Sequence, residues 1–293
     1  MIKWRGIAWS VHPLFIMVML ASLLTGYFPE LLTLFVIVVV HELGHVLAAR
    51  AFRWKVLEVK LLPFGGVAEV EDAGGISAKE EAIVAIAGPL QNGWMALAAW
   101  GCGAGGLWDA AWAEYIIEAN VMLALFNLLP IYPLDGGKLL QALLSILLNY
   151  YRTLVWTARL SLLFSAAMLA TAIVPLFLQA HGLQLNVLIV ASFLFMTNWT
   201  YRRHIPYLFY RFLMHRERSA ELVIDRGKGV TPLIVSGKQS ILSVARMFKR
   251  EKVYLVYMLE HARQELRMLP EQRIVEGCLS GSNPNRAVHE LFS

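Results

Sequence analysis

One short stretch carries the most distinctive chemistry in this chain: His41-Glu42-Leu43-Gly44-His45. Histidines four residues apart on a helix share a face, so both imidazoles reach one zinc ion while Glu42, one residue along, engages a water held there. Zinc makes such a water far more acidic, and a carboxylate beside it serves first as general base and then as proton donor to a leaving amine. The competing reading, a polar helix face without metal, is weak because the motif stands inside an apolar run, where ionisable side chains are costly and mark function. A catalytic zinc takes a third protein ligand and keeps one position open. Asp135 is the candidate, in Asn127-Leu128-Leu129-Pro130-Ile131-Tyr132-Pro133-Leu134-Asp135-Gly136-Gly137. The prolines and paired glycines of this segment interrupt a helix, which is tolerated at membrane depth only where the backbone lines protein or a watery cavity. Its bland alternative is a helix cap.

The elements that must position these residues are membrane helices. Hydrophobic residues make up 58% of the 293-residue chain and charged residues only 16%, a balance that leaves a soluble domain with too much apolar surface to hide. A bilayer core needs about 20 mostly apolar residues per helix, and stretches of that kind lie near 8–28, 31–50, 82–107, 115–140, 156–178 and 185–201. Basic residues cluster on alternate connections. Lys3 and Arg5 precede the first span; Arg53, Lys55, Lys60 and Lys79 follow the second; Lys138 and Arg152 follow the fourth; Arg202, Arg203 and Arg211 follow the sixth. The segments Thr25 to Glu30, Trp108 to Glu114 and Gln179 to Gln184 carry no Lys or Arg. This asymmetry predicts both termini in the cytosol, with the second and fourth spans running inward and the metal site opening to the cytosol. Lys3 and Arg5 before an apolar stretch imitate a signal peptide, but no small-residue cleavage site follows, so an uncleaved first helix is expected.

Residues 52–75 are too polar and broken for a span; strand-like stretches at Lys55 to Leu62 and Val67 to Val70 flank Phe64-Gly65-Gly66 and predict a hairpin beside the site. Ser77-Ala78-Lys79-Glu80 has the form of a capping box opening the third span. Cys102 and Cys278, one in an apolar run and one in the polar tail, read as reduced structural cysteines. The net charge of +5 is explained by basic residues beside the spans, which disfavours direct nucleic-acid binding. His12 reads as an interfacial histidine in preference to a ligand. His181, His204, His215, His261 and His289 lie in loop or tail segments and need no special role.

The predicted organisation is a six-span domain over 1–202, an amphipathic linker over 203–224 and a small cytosolic α/β domain over 225–293. In the linker Tyr207, Phe209, Tyr210 and Phe212 interleave with Arg202, Arg203 and Arg211, as in an interfacial helix. The tail alternates a strand at Pro232 to Val235, a helix near Ile241 to Lys249, a strand at Val253 to Leu259, and a shorter strand and helix to Leu279. That order resembles a single, divergent cystathionine-beta-synthase-type (CBS) module. The resemblance implies a regulatory or docking domain, ATP as a candidate ligand, and a homo-oligomer paired through its tails.

His41-Glu42-Leu43-Gly44-His45, Gly88-Pro89-Leu90-Gln91-Asn92 and Asn127 through Gly137, in this order along the spans, resemble the site-2 protease family of intramembrane zinc metalloproteases. The resemblance implies zinc on His41, His45 and Asp135, Glu42 as the base, and Asn127 and Pro133 near the bound substrate strand. It covers essentially the whole chain, with no space for an inserted PDZ domain. Within that family the chain resembles the sporulation-type members, which cleave the membrane-associated pro-form of a late mother-cell sigma factor. This implies a pro-sigma factor as substrate, inhibitory membrane proteins as partners, and the mother-cell membrane around the forespore as location. Two other classes remain: a metal-binding membrane transporter, which the adjacent Glu42 and the lack of repeated interrupted segments disfavour, and an inactive scaffold, against which the intact His41, Glu42, His45 and Asp135 argue.

Overall fold

The computed structural model of the protein describes residues 2–4, 7–11, 13–62, 65–70, 76–177, 184–216, 229–260, 265–280 and 284–292. Phe64, His12, His181, His261 and the linker residues 217–224 lie outside them. The chain divides into two compact units, residues 1–71 with 79–139 and residues 72–78 with 140–293.

The first unit opens with β1 (Ile2–Trp4) and β2 (Ile7–Val11), then α1 (Pro13–Thr25), α2 (Phe28–Ala51), β3 (Val56–Leu62), β4 (Gly65–Val70), α3 (Ala78–Ala104), α4 (Ala110–Asn127) and the first turn of α5 (Asp135–Leu147). The four strands form one sheet in the order β1-β2-β3-β4. β3 and β4 are the antiparallel hairpin expected over 52–75, closing at Leu62 opposite Gly65. The strand β2 corrects the expected first span. Residues 7–11 pair in parallel with β3, Ala8 opposite Glu58 through Val11 opposite Leu61, instead of starting a helix. Ile7, Trp9 and Val11 alternate along the strand, and Pro13 sets the first helical φ, so the helix starts there.

Helix α2 carries the HExxH residues. Its buried positions are Ile37, His41, Glu42, Gly44, His45, Val46 and Ala49, one face repeating at helical spacing. Its end is fixed by Arg53, which takes a left-handed conformation at φ 61°, with Arg53 N–H donating to Arg50 O at 2.9 Å and Trp54 N–H to Ala49 O at 2.9 Å. That pattern closes the carbonyls of a helix terminus and turns the chain toward β3.

The expected fourth span, 115–140, is two helices. α4 begins under Asp109, whose carboxylate accepts from Ala111 N–H at 3.1 Å, and ends at Asn127. Residues 128–134 make an irregular connection containing a cis Tyr132-Pro133 bond, and α5 starts at Asp135. Gly136 and Gly137 are needed by this crossing: a Cβ on Gly136 would meet the Leu128 and Leu129 carbonyls, and one on Gly137 would lie 2.6 Å from Ile131 O.

In the second unit α6 (Tyr150–Phe177) packs against α7 (Leu185–Met214). Small residues make the approach possible, since Ala158, Ser161, Ser165, Ala172 and Ala191 have no exposed surface. α7 continues well past the expected sixth span, so residues 203–214 of the predicted linker are helix. Phe209 and Leu213 at its end enter the core of the tail domain with Val235, Ile241, Val244, Phe248, Tyr254, Val256, Met258 and Ile274. That domain consists of β5 (Thr231–Ser236), α8 (Ile241–Ala245), β6 (Tyr254–Glu260), β7 (Glu265–Pro270), α9 (Glu271–Leu279) and a 3-10 turn at Val288–Phe292. β5 and β6 are parallel and β6 and β7 antiparallel, in the order of strands and helices read from the sequence. Arg216 joins α7 to this domain: 2% exposed, its Nε donates to Glu271 Oε1 at 3.0 Å and its Nη1 to Lys249 O at 2.7 Å. Both cysteines are free; burial pushes the Cys278 thiol up to about 11, which keeps it a packed, inert thiol.

Among the described residues, three helices are long and apolar enough to cross a membrane: α2, α3 and residues Tyr150–Val174 of α6. The protein is therefore a helical membrane protein. Large apolar side chains on α3, including Leu90, Trp94, Leu97 and Trp100, are 63–68% exposed, a surface suited to lipid and not to water.

Candidate metal centre

The site lies wholly in the first unit. α2 supplies His41 and His45 from successive turns, and the first residue of α5 supplies Asp135. Asp135 Oδ2 lies 3.1 Å from His41 Nε2 and 3.1 Å from His45 Nε2, and the two Nε2 atoms are 3.2 Å apart. A carboxylate oxygen of Glu42 and a ring nitrogen of each histidine fall within 4.8 Å of one another. All four residues are at most 6% exposed. The structure thus brings together His41, Glu42, His45 and Asp135, as the sequence leads one to expect.

The hydrogen bonds around the triangle set its polarity. His45 Nδ1 lies 2.7 Å from Val84 O, a carbonyl of α3 that only accepts, so His45 donates through Nδ1 and keeps a lone pair on Nε2. His41 Nδ1 lies 2.5 Å from Asn92 Oδ1, also an acceptor, and its Nε2 is left with a lone pair in the same way. Lys138 Nζ donates to Asp135 Oδ1 at 3.2 Å, leaving Oδ2 toward the histidines. Three lone-pair donors converge on one point, an arrangement that calls for a cation.

Zinc fits this set. Ligands about 2.0 Å from a tetrahedral ion stand about 3.3 Å from one another, close to the 3.1–3.2 Å edges of the triangle. Two neutral imidazoles and one carboxylate are a donor set that zinc takes in hydrolytic sites. The outward nitrogens of both histidines are tied to fixed acceptors, as metal-ligating histidines are.

Glycine governs the approach of α3. A Cβ on Gly88 would collide with the His45 ring and lie 2.7 Å from His41 Nε2, and one on Gly44 would lie 2.6 Å from Ala87 O. Of the two expected substrate contacts, Asn127 ends α4 with its Nδ2 3.3 Å from His41 Nε2, and Pro133 lies in the α4–α5 connection two residues before Asp135. His204 and His215 each bond a backbone carbonyl four residues back on their own helix, at 2.9 Å, and His289 bonds Gly237 O at 3.0 Å.

Sequence reasoning passed over Asn120 and Lys138 as site residues and left Asn92 and Gly88 inside a motif without a role. Asn92 and Asn120 are polar side chains with no exposed surface in otherwise apolar helices, the signal that marks function within a membrane. Lys138 shows in the sequence only as part of the charge asymmetry.

The profile of Peptidase family M50 matches residues 29–106 and 106–170. Stage IV sporulation protein FB of Bacillus subtilis is 32% identical over 284 residues, 96% of this chain and 95% of that protein. A zinc metalloprotease of Methanocaldococcus jannaschii is 34% identical over 130 residues, 41% of this chain and 35% of that one. Among solved structures, the site-2 protease from Methanocaldococcus jannaschii superposes with a TM-score of 0.54 and 26% identity, covering 69% of this chain and 94% of that chain.

Proposed function

The chain belongs to peptidase family M50, the site-2 protease type of zinc metalloprotease, and from that premise we propose that it cleaves a membrane-associated pro-sigma factor during sporulation. The observation that carries the reading is the triangle of His41 Nε2, His45 Nε2 and Asp135 Oδ2 at 3.1–3.2 Å with the Glu42 carboxylate beside it. In this reading His41, His45 and Asp135 hold the zinc ion, which when bound supplies Lewis acidity to a substrate carbonyl and to water. Glu42 takes the proton from the attacking water and returns it to the leaving amine nitrogen. Asn127, whose amide reaches the triangle, and Pro133 lie along the substrate strand. The burial of all four residues, at most 6% exposed, keeps bulk water from the reacting centre and strengthens each charge within it.

The substrate class rests on the match to Stage IV sporulation protein FB along nearly the whole chain. The same reading takes six spans, both termini in the cytosol, a site reached from the cytosol, and residence in the mother-cell membrane around the forespore. The charge asymmetry of the connections supports that orientation. Inhibitory membrane partners, tail-paired homo-oligomers and ATP at the tail domain rest on resemblance.

Co-expression with a membrane-tethered sigma-factor precursor tests the proposal. A shortened precursor is expected with the wild-type chain and none with the His41→Ala chain. Metal uptake into cells without any shortening of the precursor would contradict it and point to transport.

A further inference from the structure

Behind the metal triangle runs a chain of hydrogen bonds across three helices. His41 Nδ1 meets Asn92 Oδ1 at 2.5 Å, Asn92 Nδ2 donates to Asn120 Oδ1 at 3.0 Å, and Asn120 Nδ2 donates to Ile116 O at 2.8 Å. Neither asparagine has any exposed surface, so no water competes for these groups.

The direction of the chain is forced from its far end. Ile116 O is a backbone carbonyl and can only accept, so Asn120 must turn its NH2 toward it and its oxygen toward Asn92. Asn92 must then give its NH2 to Asn120 and its oxygen to His41. His41 must protonate Nδ1 and keep the Nε2 lone pair for the metal. A primary amide is nearly symmetric in shape, and Asn92 reversed would offer N–H groups to Nδ1, moving the ring proton to Nε2, the nitrogen aimed at Asp135 and His45. Asn120 removes that choice.

We propose that Asn120, two hydrogen bonds away from His41 and in no contact with the metal, is a positioning residue for zinc: it fixes the polarity of the Asn92 amide and thereby the tautomer of His41. The inference rests on the assignment of His41 as a zinc ligand. It differs from a role as glue between α3 and α4, because a polarity device matters only while residue 92 is an amide. Aspartate at 92 has two accepting oxygens and no wrong orientation.

The test is zinc affinity of the full-length protein in lipid nanodiscs, measured by competition with a chelator of known affinity, together with the melting temperature of the metal-free protein. Asn92→Leu and Asn120→Leu are expected to weaken zinc by about 10–100-fold, the usual loss when a partner behind a metal ligand is removed. Asn120→Asp, which still accepts from Asn92, stays near wild type. Asn92→Asp accepts from His41 Nδ1 in either orientation, and although its other oxygen faces Asn120 Oδ1, its affinity no longer depends on Asn120, so adding Asn120→Leu lowers it no further. Wild-type affinity in Asn120→Leu, or an equal loss in the Asn92→Asp background accompanied by an equal fall in melting temperature, overturns the relay in favour of packing. If Asn120→Leu does not fold, equal zinc affinities for Asn92→Asp and Asn92→Leu overturn it. A wild-type protein that binds zinc no better than His41→Ala overturns the ligand assignment itself.

Discussion

Glu42→Gln is expected to abolish precursor cleavage while leaving the zinc content of the purified protein at the wild-type level. The substitution keeps the size of the side chain and the three atoms of the ligand triangle, and removes only the ability to take up a proton. Positioned general bases contribute about 10²–10⁴-fold, and in the proposed mechanism the same group also delivers the proton to the leaving amine, so the expected loss falls at or beyond the upper end. The measurement pairs metal analysis with the fraction of precursor shortened over time. Cleavage by the Glu42→Gln protein at an appreciable fraction of the wild-type rate would remove Glu42 from the chemistry.

Gly88→Ala should be nearly as damaging, through the metal and not through the base. The single methyl would stand against the His45 ring and 2.7 Å from His41 Nε2, on two nitrogens of the His41–His45–Asp135 triangle. Neither ring can retreat without breaking its bond to Val84 O or Asn92 Oδ1. The expected loss of zinc affinity exceeds the roughly 100-fold reached by removing a partner behind a ligand, and cleavage is lost with it. Gly93→Ala, on the same helix with open space around its added carbon, supplies the control and should leave both properties unchanged. Equal behaviour of the two variants would mean that α3 does not press on the site as described.

How much of this was legible in the sequence depended on whether the signal was local. His41, Glu42 and His45 are set by helical spacing within one run, and the structure brings them together. Asp135 was legible because proline and glycine around it break an apolar run, and the break is where α4 ends and α5 begins. The same break was read inside one span, since composition alone cannot tell two helices meeting end to end from one that is kinked. Residues 7–11 were read as helix for a related reason: a short apolar run fits a strand and a helix start equally well until a pairing partner is known, and β3 lies some fifty residues on. Asn92 and Asn120 could be noticed as polar residues in apolar helices, but that one faces His41 and the other its amide follows from how α2, α3 and α4 pack. No spacing rule links positions so far apart.

On the proposed reading, His41, His45 and Asp135 together hold one zinc ion. Elemental analysis of the protein purified without added chelator tests it directly, for the wild type and for His41→Ala, His45→Ala and Asp135→Ala. One zinc per chain is expected in the wild type, and a deep loss in each of the three variants. Zinc retained at the wild-type level by Asp135→Ala, or a wild type that carries no zinc, would contradict it.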